Sequence, residues 1–371
     1  MSGVGGGLPH LATWGWDATQ AQAFAASATG SDTPGRVLTM TAADYTLATP
    51  DGEHQAVISP RLRHAAADPT ALPAVGDWVV VESGDLGPPR IVAVLPRRSA
   101  FLRHAPGDRS DAQVVATNID SVFIIMALTR DLNPRRLERY LGAAWSSGAR
   151  PVVLLSKSDL CEDLPAAIGR VASVAASVPV HVISAIAGLG LDELGPYLLP
   201  GLTVALLGSS GVGKSTLVNV LLGEERQVVR ATRADDERGR HTTSARELIR
   251  LPGGAILLDT PGMRSLALWD DEGVDRAFAD IEALATGCRF NDCRHSGEPD
   301  CAVRRAIQEG TLAESRLEGR RKLERELASL ERRKSPAAVR AEARRWARTT
   351  RRVASDALAR KRGRWSAWED G

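Results

Sequence analysis

The sequence predicts a multidomain chain. A small closed β-barrel precedes an α/β unit with a mainly parallel sheet, and a short helical unit organised by a Cys/His cluster follows. Three observations carry this reading. Five short β-type runs, separated by Gly, Pro and Asp, fall within about seventy residues from Pro34 onward. Between residues 119 and 260, apolar strand-like runs alternate with helical patterns, the mark of a parallel sheet covered on both faces. Further on, Cys288, Cys293, His295 and Cys301 crowd into fourteen residues. A length of 371 residues exceeds one typical core and agrees with two or three domains.

Composition narrows the classes. The net charge of +2 hides a segregation: residues 331–364 hold 13 Arg and Lys against 3 Asp and Glu, a local +10, so the rest of the chain sums to −8. One end is therefore suited to polyanions. No run is long and apolar enough to span a bilayer and no signal peptide is evident, so a cytoplasmic protein without a membrane partner is expected. Clustered cysteines beside a histidine suit a metal site in a reducing compartment better than a disulfide framework. No run repeats another, which excludes a solenoid.

In chain order, residues 1–33 are rich in Gly, Ala, Ser and Thr without a sustained period and read as a mostly flexible arm. Residues 34–104 carry the five runs, at 36–40, 45–47, 55–58, 77–81 and 90–94, for which an OB-fold is the leading architecture. Arg97, Arg98, Arg103 and His104 follow the last run, either as an oligonucleotide rim or as a solvated basic edge. The α/β unit is placed at 111–265, with strands at 121–128, 151–156, 180–184, 202–207, 245–251 and 255–258 and helices at 134–147, 164–177 and 191–198. Residues 266–371 form the helical unit and its basic extension. There, Leu323, Leu327 and Leu330 recur at helical spacing, and Ser335-Pro336 marks a stop before a second, arginine-rich helix.

The chemistry centres on Gly208-Ser209-Ser210-Gly211-Val212-Gly213-Lys214-Ser215-Thr216, a full GxxxxGKS loop directly behind an apolar strand and ahead of a helical run. Such a loop aims backbone N–H groups and a helix N-terminus at a polyphosphate; Lys214 reaches the phosphates and Ser215 holds Mg²⁺. About forty residues on, Asp259-Thr260-Pro261-Gly262 ends a second apolar strand, where Asp259 reaches the Mg²⁺ shell through water and the Gly262 N–H senses a γ-phosphate. Between them lie His241, Thr242 and Thr243, and either threonine can join the Mg²⁺ shell. Upstream, Ser156-Lys157-Ser158-Asp159 and Ser184-Ala185 each follow a strand. The Asp159 carboxylate can accept from the N1–H and N2–H₂ edge of guanine, which adenine lacks, while the Lys157 stem lies on the base plane. Three thiolates and one imidazole at 288, 293, 295 and 301 complete a tetrahedral shell with no open position, which favours one structural Zn²⁺ per chain. Cys161 stands apart as an ordinary thiol.

The order of these parts resembles a circular permutation of the Ras-type set. Ras-type switches run phosphate loop, threonine, DxxG, NKxD, SA; this chain runs SKSD, SA, phosphate loop, threonine, DTPG. With a barrel before and a Cys/His cluster after, it is similar to the RsgA-type GTPases over about residues 34–350. The resemblance implies an OB barrel, a GTP-hydrolysing domain, a C-terminal zinc domain and a role in late maturation of the 30S subunit. Small ribosomal subunits, 16S rRNA and GTP/GDP are then the expected partners of a monomer. Arg340, Arg344, Arg345, Arg348, Arg351 and Arg352, with Trp346 among them, would meet rRNA phosphates and a stacked base, or form a solvated basic helix. One departure is Ser156 where the family has Asn. A second reading follows Met263, which takes the place where Ras-type switches carry a water-orienting Gln; His241 is the candidate for that catalytic role, against a contact to rRNA or solvent only. Rival functions are an RNA-binding assembly protein with guanine nucleotide as a structural ligand, and a P-loop ATPase or kinase.

Overall fold

The computed structural model describes residues 8–41, 44–66, 68–83, 87–104, 112–129, 132–223, 246–259 and 271–333. The chain opens with two short helices, α1 (Pro9–Ala12) and α2 (Ala18–Ala25), the second capped by Asp17 accepting from the Thr19 and Gln20 N–H groups. The expectation of a mostly flexible arm over residues 1–33 is thus corrected from Leu8 onward. Leu11 and Trp14 are buried, Trp16 meets Trp78 edge-on at 5.0 Å, and His10 Nδ1 lies 2.6 Å from the Thr49 carbonyl. Two tryptophans and a leucine spaced among small residues anchor the segment, a signal that the absence of periodicity obscured.

Five strands follow: β1 (Thr33–Met40), β2 (Tyr45–Thr49), β3 (Gly52–Ile58), then helix α3 (Pro60–Ala65), β4 (Trp78–Glu82) and β5 (Arg90–Val94). Pairing runs β1–β2–β3–β5–β4, and β4 returns to β1, so the sheet closes on itself and leaves no edge within the barrel. Val37, Leu47, Val79 and Ile91 fill its interior. Arg97 is no part of a free basic rim. It forks onto the fully buried Asp77 at 2.7 and 2.6 Å and donates to the Thr70 and Leu72 carbonyls, tying the barrel's exit to its 70s loop. Arg98 meets Asp17 and Asp120, and Arg103 donates to Gln113.

A hairpin, β6 (Ala100–His104) with β7 (Ala112–Thr117), leads into the α/β unit and was not foreseen as strands. Next come β8 (Ser121–Ala127), α4 (Pro134–Ser147), β9 (Arg150–Ser156), α5 (Leu164–Ala172), β10 (Val180–Val182), β11 (Thr203–Leu207), α6 (Lys214–Leu222), β12 (Glu247–Arg250) and β13 (Ile256–Asp259). The expected helix near 191–198 is a 3₁₀ segment, Asp192–Tyr197, with Pro196 inside it. Strand order is β10-β9-β8-β11-β13-β12, parallel except for β12. Side chains alternate between faces, as the pleat requires. Ile124, Met126, Val153 and Leu155 join α4 and α5 on one side; Phe123, Ile125, Leu154 and Leu206 join α6 on the other.

The barrel and this sheet share a ladder through one register pair, Thr39 with Glu247. Beside the seam lies Arg36, 1% exposed. Its guanidinium donates to the Trp14 carbonyl, to Thr203 Oγ1 at 2.8 Å and to the Asn118 carbonyl at 3.4 Å, and lies over the Trp78 ring. Burial pushes its pKa down to about 10, against the pull of Asp120 and Asp77.

The last unit comprises α7 (Asp271–Ala277), α8 (Ala279–Ala285), α9 (Ala302–Gln308) and α10 (Glu314–Arg333). It rests on α4. A Cβ at Gly273 would lie 2.6 Å from the Gly142 carbonyl oxygen, so only glycine lets α7 approach α4 this closely. Arg316 reaches across from α10: it donates to Glu138 at 2.9 Å, to Asp280 at 2.6 Å and to the Ala277 carbonyl, over the face of Phe278. Burial raises the Glu138 carboxyl pKa, and Arg316 opposes that rise. Leu323 and Leu327 are buried, as their helical spacing predicts. No helix among the described residues is long and apolar enough to cross a membrane.

Removing Arg97 takes away the only charged partner of the buried Asp77 among the described residues and leaves it the Ala74 N–H, so Arg97→Met should destabilise the protein by about 3–5 kcal/mol. Urea unfolding of the full chain measures this, and an unchanged midpoint would return Arg97 to the surface.

Candidate functional site

In a parallel sheet, ligands bind beyond the carboxyl ends of the strands, where loops and helix N-termini converge. Here β9 ends at Ser156, β11 runs into Gly208 and β13 ends at Asp259, all on one edge. Ser184 follows β10 at the same edge. Sequence order is permuted, but the sheet brings the ends together.

The loop after β11 lies hard against β8. A Cβ at Gly208 would stand 2.6 Å from the Ile125 carbonyl oxygen, so the first glycine is a requirement of close approach. Gly213, in the left-handed region at φ 96°, caps α6 without a side-chain hydrogen bond, and a helix N-terminus of this kind suits an anion. Lys214 Nζ folds over the loop, donating to the carbonyls of Gly208 at 2.8 Å and Ser209 at 2.5 Å. That places an ammonium group at the loop's own rim. Ser209, Ser210, Gly211 and Val212 complete the loop, with Val212 buried under it.

Adjoining the loop is a pocket lined by Ile125, Ser156, Lys157, Asp159, Ile183, Ser184, Ala185, Ile186, Gly213, Thr216 and Leu217. All five residues predicted from SKSD and SA to face a base line it, together with the start of the phosphate-loop helix. Asp159 Oδ1 accepts from the Ser184 hydroxyl at 2.5 Å, and Ser184 Oγ in turn accepts from the Ala187 N–H at 3.2 Å. This chain fixes the carboxylate, leaving its other oxygen for a ligand. Ser156 is buried, and its hydroxyl donates to the Val212 carbonyl at 2.7 Å. Its polar group is spent on the phosphate loop, where it ties β9 to the loop after β11. The apolar wall of Ile125, Ile183 and Leu217 was missed from sequence, because residues of this type on strand ends and helix faces read as core.

His241, Thr242, Thr243 and Gly262 lie outside the described residues, as does the arginine-rich segment from Arg340 to Arg352. Asp259 is placed as the last residue of β13, a neighbour of β11.

The second centre is the Cys/His cluster. The ligand atoms of Cys288, Cys293, His295 and Cys301 all lie within 4.8 Å of one another. Cys288 Sγ to Cys301 Sγ is 3.9 Å, and His295 Nδ1 stands 3.7 Å from Cys288 Sγ and 3.4 Å from Cys301 Sγ. Tetrahedral bonds of Zn–S and Zn–N length require about 3.8 Å between sulfurs and about 3.6 Å from sulfur to nitrogen. The donor set and its spacing therefore fit a closed metal shell. His295 takes a left-handed backbone, φ 56°, and its carbonyl accepts from Arg304 and Arg321. Glu298 accepts from the Arg294, Ser296 and Gly297 N–H groups and closes the loop between ligands; its own backbone N–H first, and then these three, hold its carboxyl down at about 2.

A barrel, a permuted six-stranded sheet with a phosphate loop, and a Cys₃His unit together define a circularly permuted GTPase. The RsgA GTPase family model matches residues 94–269. A protein of Opitutus terrae named small ribosomal subunit biogenesis GTPase RsgA is 46% identical over 368 residues, 96% of this chain and 99% of that protein. One of the same name from Streptomyces avermitilis is 44% identical over 360 residues, 96% and 95% of the two chains. The crystal structure of YjeQ from Thermotoga maritima superposes with a TM-score of 0.62 at 25% identity, covering 80% of this chain and 99% of that one. The chain belongs to the RsgA family.

The Ser156 tie yields a direct expectation. Ser156→Ala leaves the Val212 carbonyl without its partner and should weaken GDP binding by roughly five- to tenfold, the worth of about 1–1.5 kcal/mol, while Ser156→Thr retains it. Calorimetric titration with Mg²⁺ and GDP distinguishes the two variants.

Proposed function

We propose that this chain hydrolyses GTP as a switch in the maturation of the small ribosomal subunit, binding 16S rRNA and being stimulated by the subunit. The observation that carries the reading is the pocket in which Asp159 and the phosphate loop adjoin, since it pairs a guanine-reading carboxylate with a polyphosphate cradle. Near-full-length relatives bearing the name of a small-subunit biogenesis GTPase support the biological setting. An ATPase or kinase reading is disfavoured, because a fixed carboxylate facing the base site repels the acceptor N1 of adenine.

In this proposal, the loop amides from Gly208 to Thr216 bind the phosphates, and Lys214 leaves the Gly208 and Ser209 carbonyls to meet their charge. Ser215 with Thr242 or Thr243, and Asp259 through water, would hold Mg²⁺, which when bound would supply positive charge to offset that of the phosphates. Gly262 supplies the N–H that registers the third phosphate. His241 orients the attacking water in the role that Met263 cannot fill. The arginine-rich end supplies a salt-sensitive share of rRNA affinity. The protein acts as a monomer in the cytoplasm.

GTP turnover measured with and without purified small subunits tests the core of this reading. Stimulation by subunits is expected, and His241→Ala should lose roughly a hundredfold of the stimulated rate while keeping GTP and subunit binding. Equal turnover with and without subunits would remove the stimulation from this reading, and no multiple-turnover phosphate release under either condition would reduce the protein to an rRNA-binding module with a nucleotide ligand.

Cys288, Cys293, His295 and Cys301 hold one Zn²⁺ per chain in a structural role. Metal analysis of freshly purified protein should return one zinc per chain, and Cys301→Ala should lose it along with cooperative unfolding of residues 271–333. Protein that is folded and free of zinc would exclude the assignment.

A further inference from the structure

The turn that follows β10 is built to be rigid. Ser184 and Leu189 exchange both backbone hydrogen bonds at 3.0 Å, the Ala187 N–H donates to Ser184 Oγ, and the same hydroxyl is bound to Asp159. Gly190 closes the turn so tightly that a Cβ there would collide with the Val182 carbonyl. At the tip of this pinned turn stands Ile186, 81% exposed yet on the lip of the base pocket. A branched aliphatic side chain has no reason of stability to be held in water on a braced turn. It gains one if a flat apolar surface comes to rest on it, since area removed from water is then recovered on binding and little entropy remains to be lost.

We propose that Ile186 is a binding residue of the nucleotide site, an apolar rest against which the face of the purine packs. The inference relies on the reading of this pocket as the base site and assigns it a further contact. The division of labour follows from the chemistry. Asp159 can only read the edge of the base, through hydrogen bonds that depend on the exocyclic amino group. Ile186 makes only dispersion and desolvation contacts, so it adds affinity for any purine without sensing which groups the edge carries. The braced turn couples the two, because Ser184 both orients Asp159 and terminates the ladder that holds Ile186.

The test is calorimetric titration of the full chain, with Mg²⁺ present, by GDP and by inosine diphosphate, which lacks the 2-amino group. Wild type, Ile186→Ser, Ile186→Leu and Asp159→Asn are compared. Ile186→Ser should weaken both ligands by about three- to tenfold, leaving their ratio unchanged, and Ile186→Leu should restore most of the affinity. Asp159→Asn should instead reduce the ratio of GDP to inosine diphosphate affinity. Because Ile186 is exposed, the melting temperature of Ile186→Ser without nucleotide should match wild type, which separates a binding loss from a folding loss. Wild-type binding with Ile186→Ser affinity within twofold of it for both ligands overturns this inference alone. Failure of the wild type to bind GDP overturns the base-site reading and this inference with it.

Discussion

Arg36 is the buried charge on which the arrangement of parts depends. It rises from the barrel strand β1 and ends among neutral oxygens: the Trp14 carbonyl of the N-terminal segment, the Asn118 carbonyl after the hairpin, and the hydroxyl of Thr203. Thr203 is the first residue of β11, whose other end becomes the phosphate loop. A guanidinium withdrawn from water needs partners for its donors; the two terminal nitrogens find theirs on three other segments while Nε has none, so four segments distant in sequence must be assembled together. The depressed pKa of Arg36 is the mark of that cost, and the face of Trp78 offsets part of it.

A parallel argument holds on the other flank. Helix α4 belongs to the α/β unit, but Glu138 on it is satisfied by Arg316 of α10, and Gly273 lets α7 approach the Gly142 carbonyl at backbone distance. The Cys/His unit is therefore seated on the helix between β8 and β9, the strands that back the phosphate loop and carry Ser156. The outer pairs, Arg135 with Glu318 and Arg139 with Glu326, are half in water and add little; the buried Arg316 cluster sets the fit.

Much of this was legible from sequence because the informative signals were local. The phosphate loop, SKSD, SA and the cysteine spacing are short strings whose chemistry needs adjacent residues, and each falls where its strand or turn demands. The barrel strands were legible from turn residues, and the α/β strands from apolar runs. What escaped depends on distant partners. Nothing near Arg97 in sequence announces Asp77, nothing near Ser156 announces Val212, and the N-terminal helices make sense only against Trp78 and Thr49. The exposed Ile186 was invisible for the opposite reason, since its meaning lies in a ligand rather than in the chain.

The permutation also decides where load can enter the molecule. The chain passes from the hairpin into the sheet at β8 and leaves it, toward the Cys/His unit, from β13; these are the two strands hydrogen-bonded on either side of β11. In an unpermuted order, the chain would enter through β11 itself and leave from β10, at the sheet's rim. Here both appended units are tethered to the neighbours of the phosphate-loop strand. A tug on either tether is borne across one row of backbone hydrogen bonds by the strand whose tip cradles the phosphates, so the cut in the sequence turns the nucleotide site into the keystone between two grips.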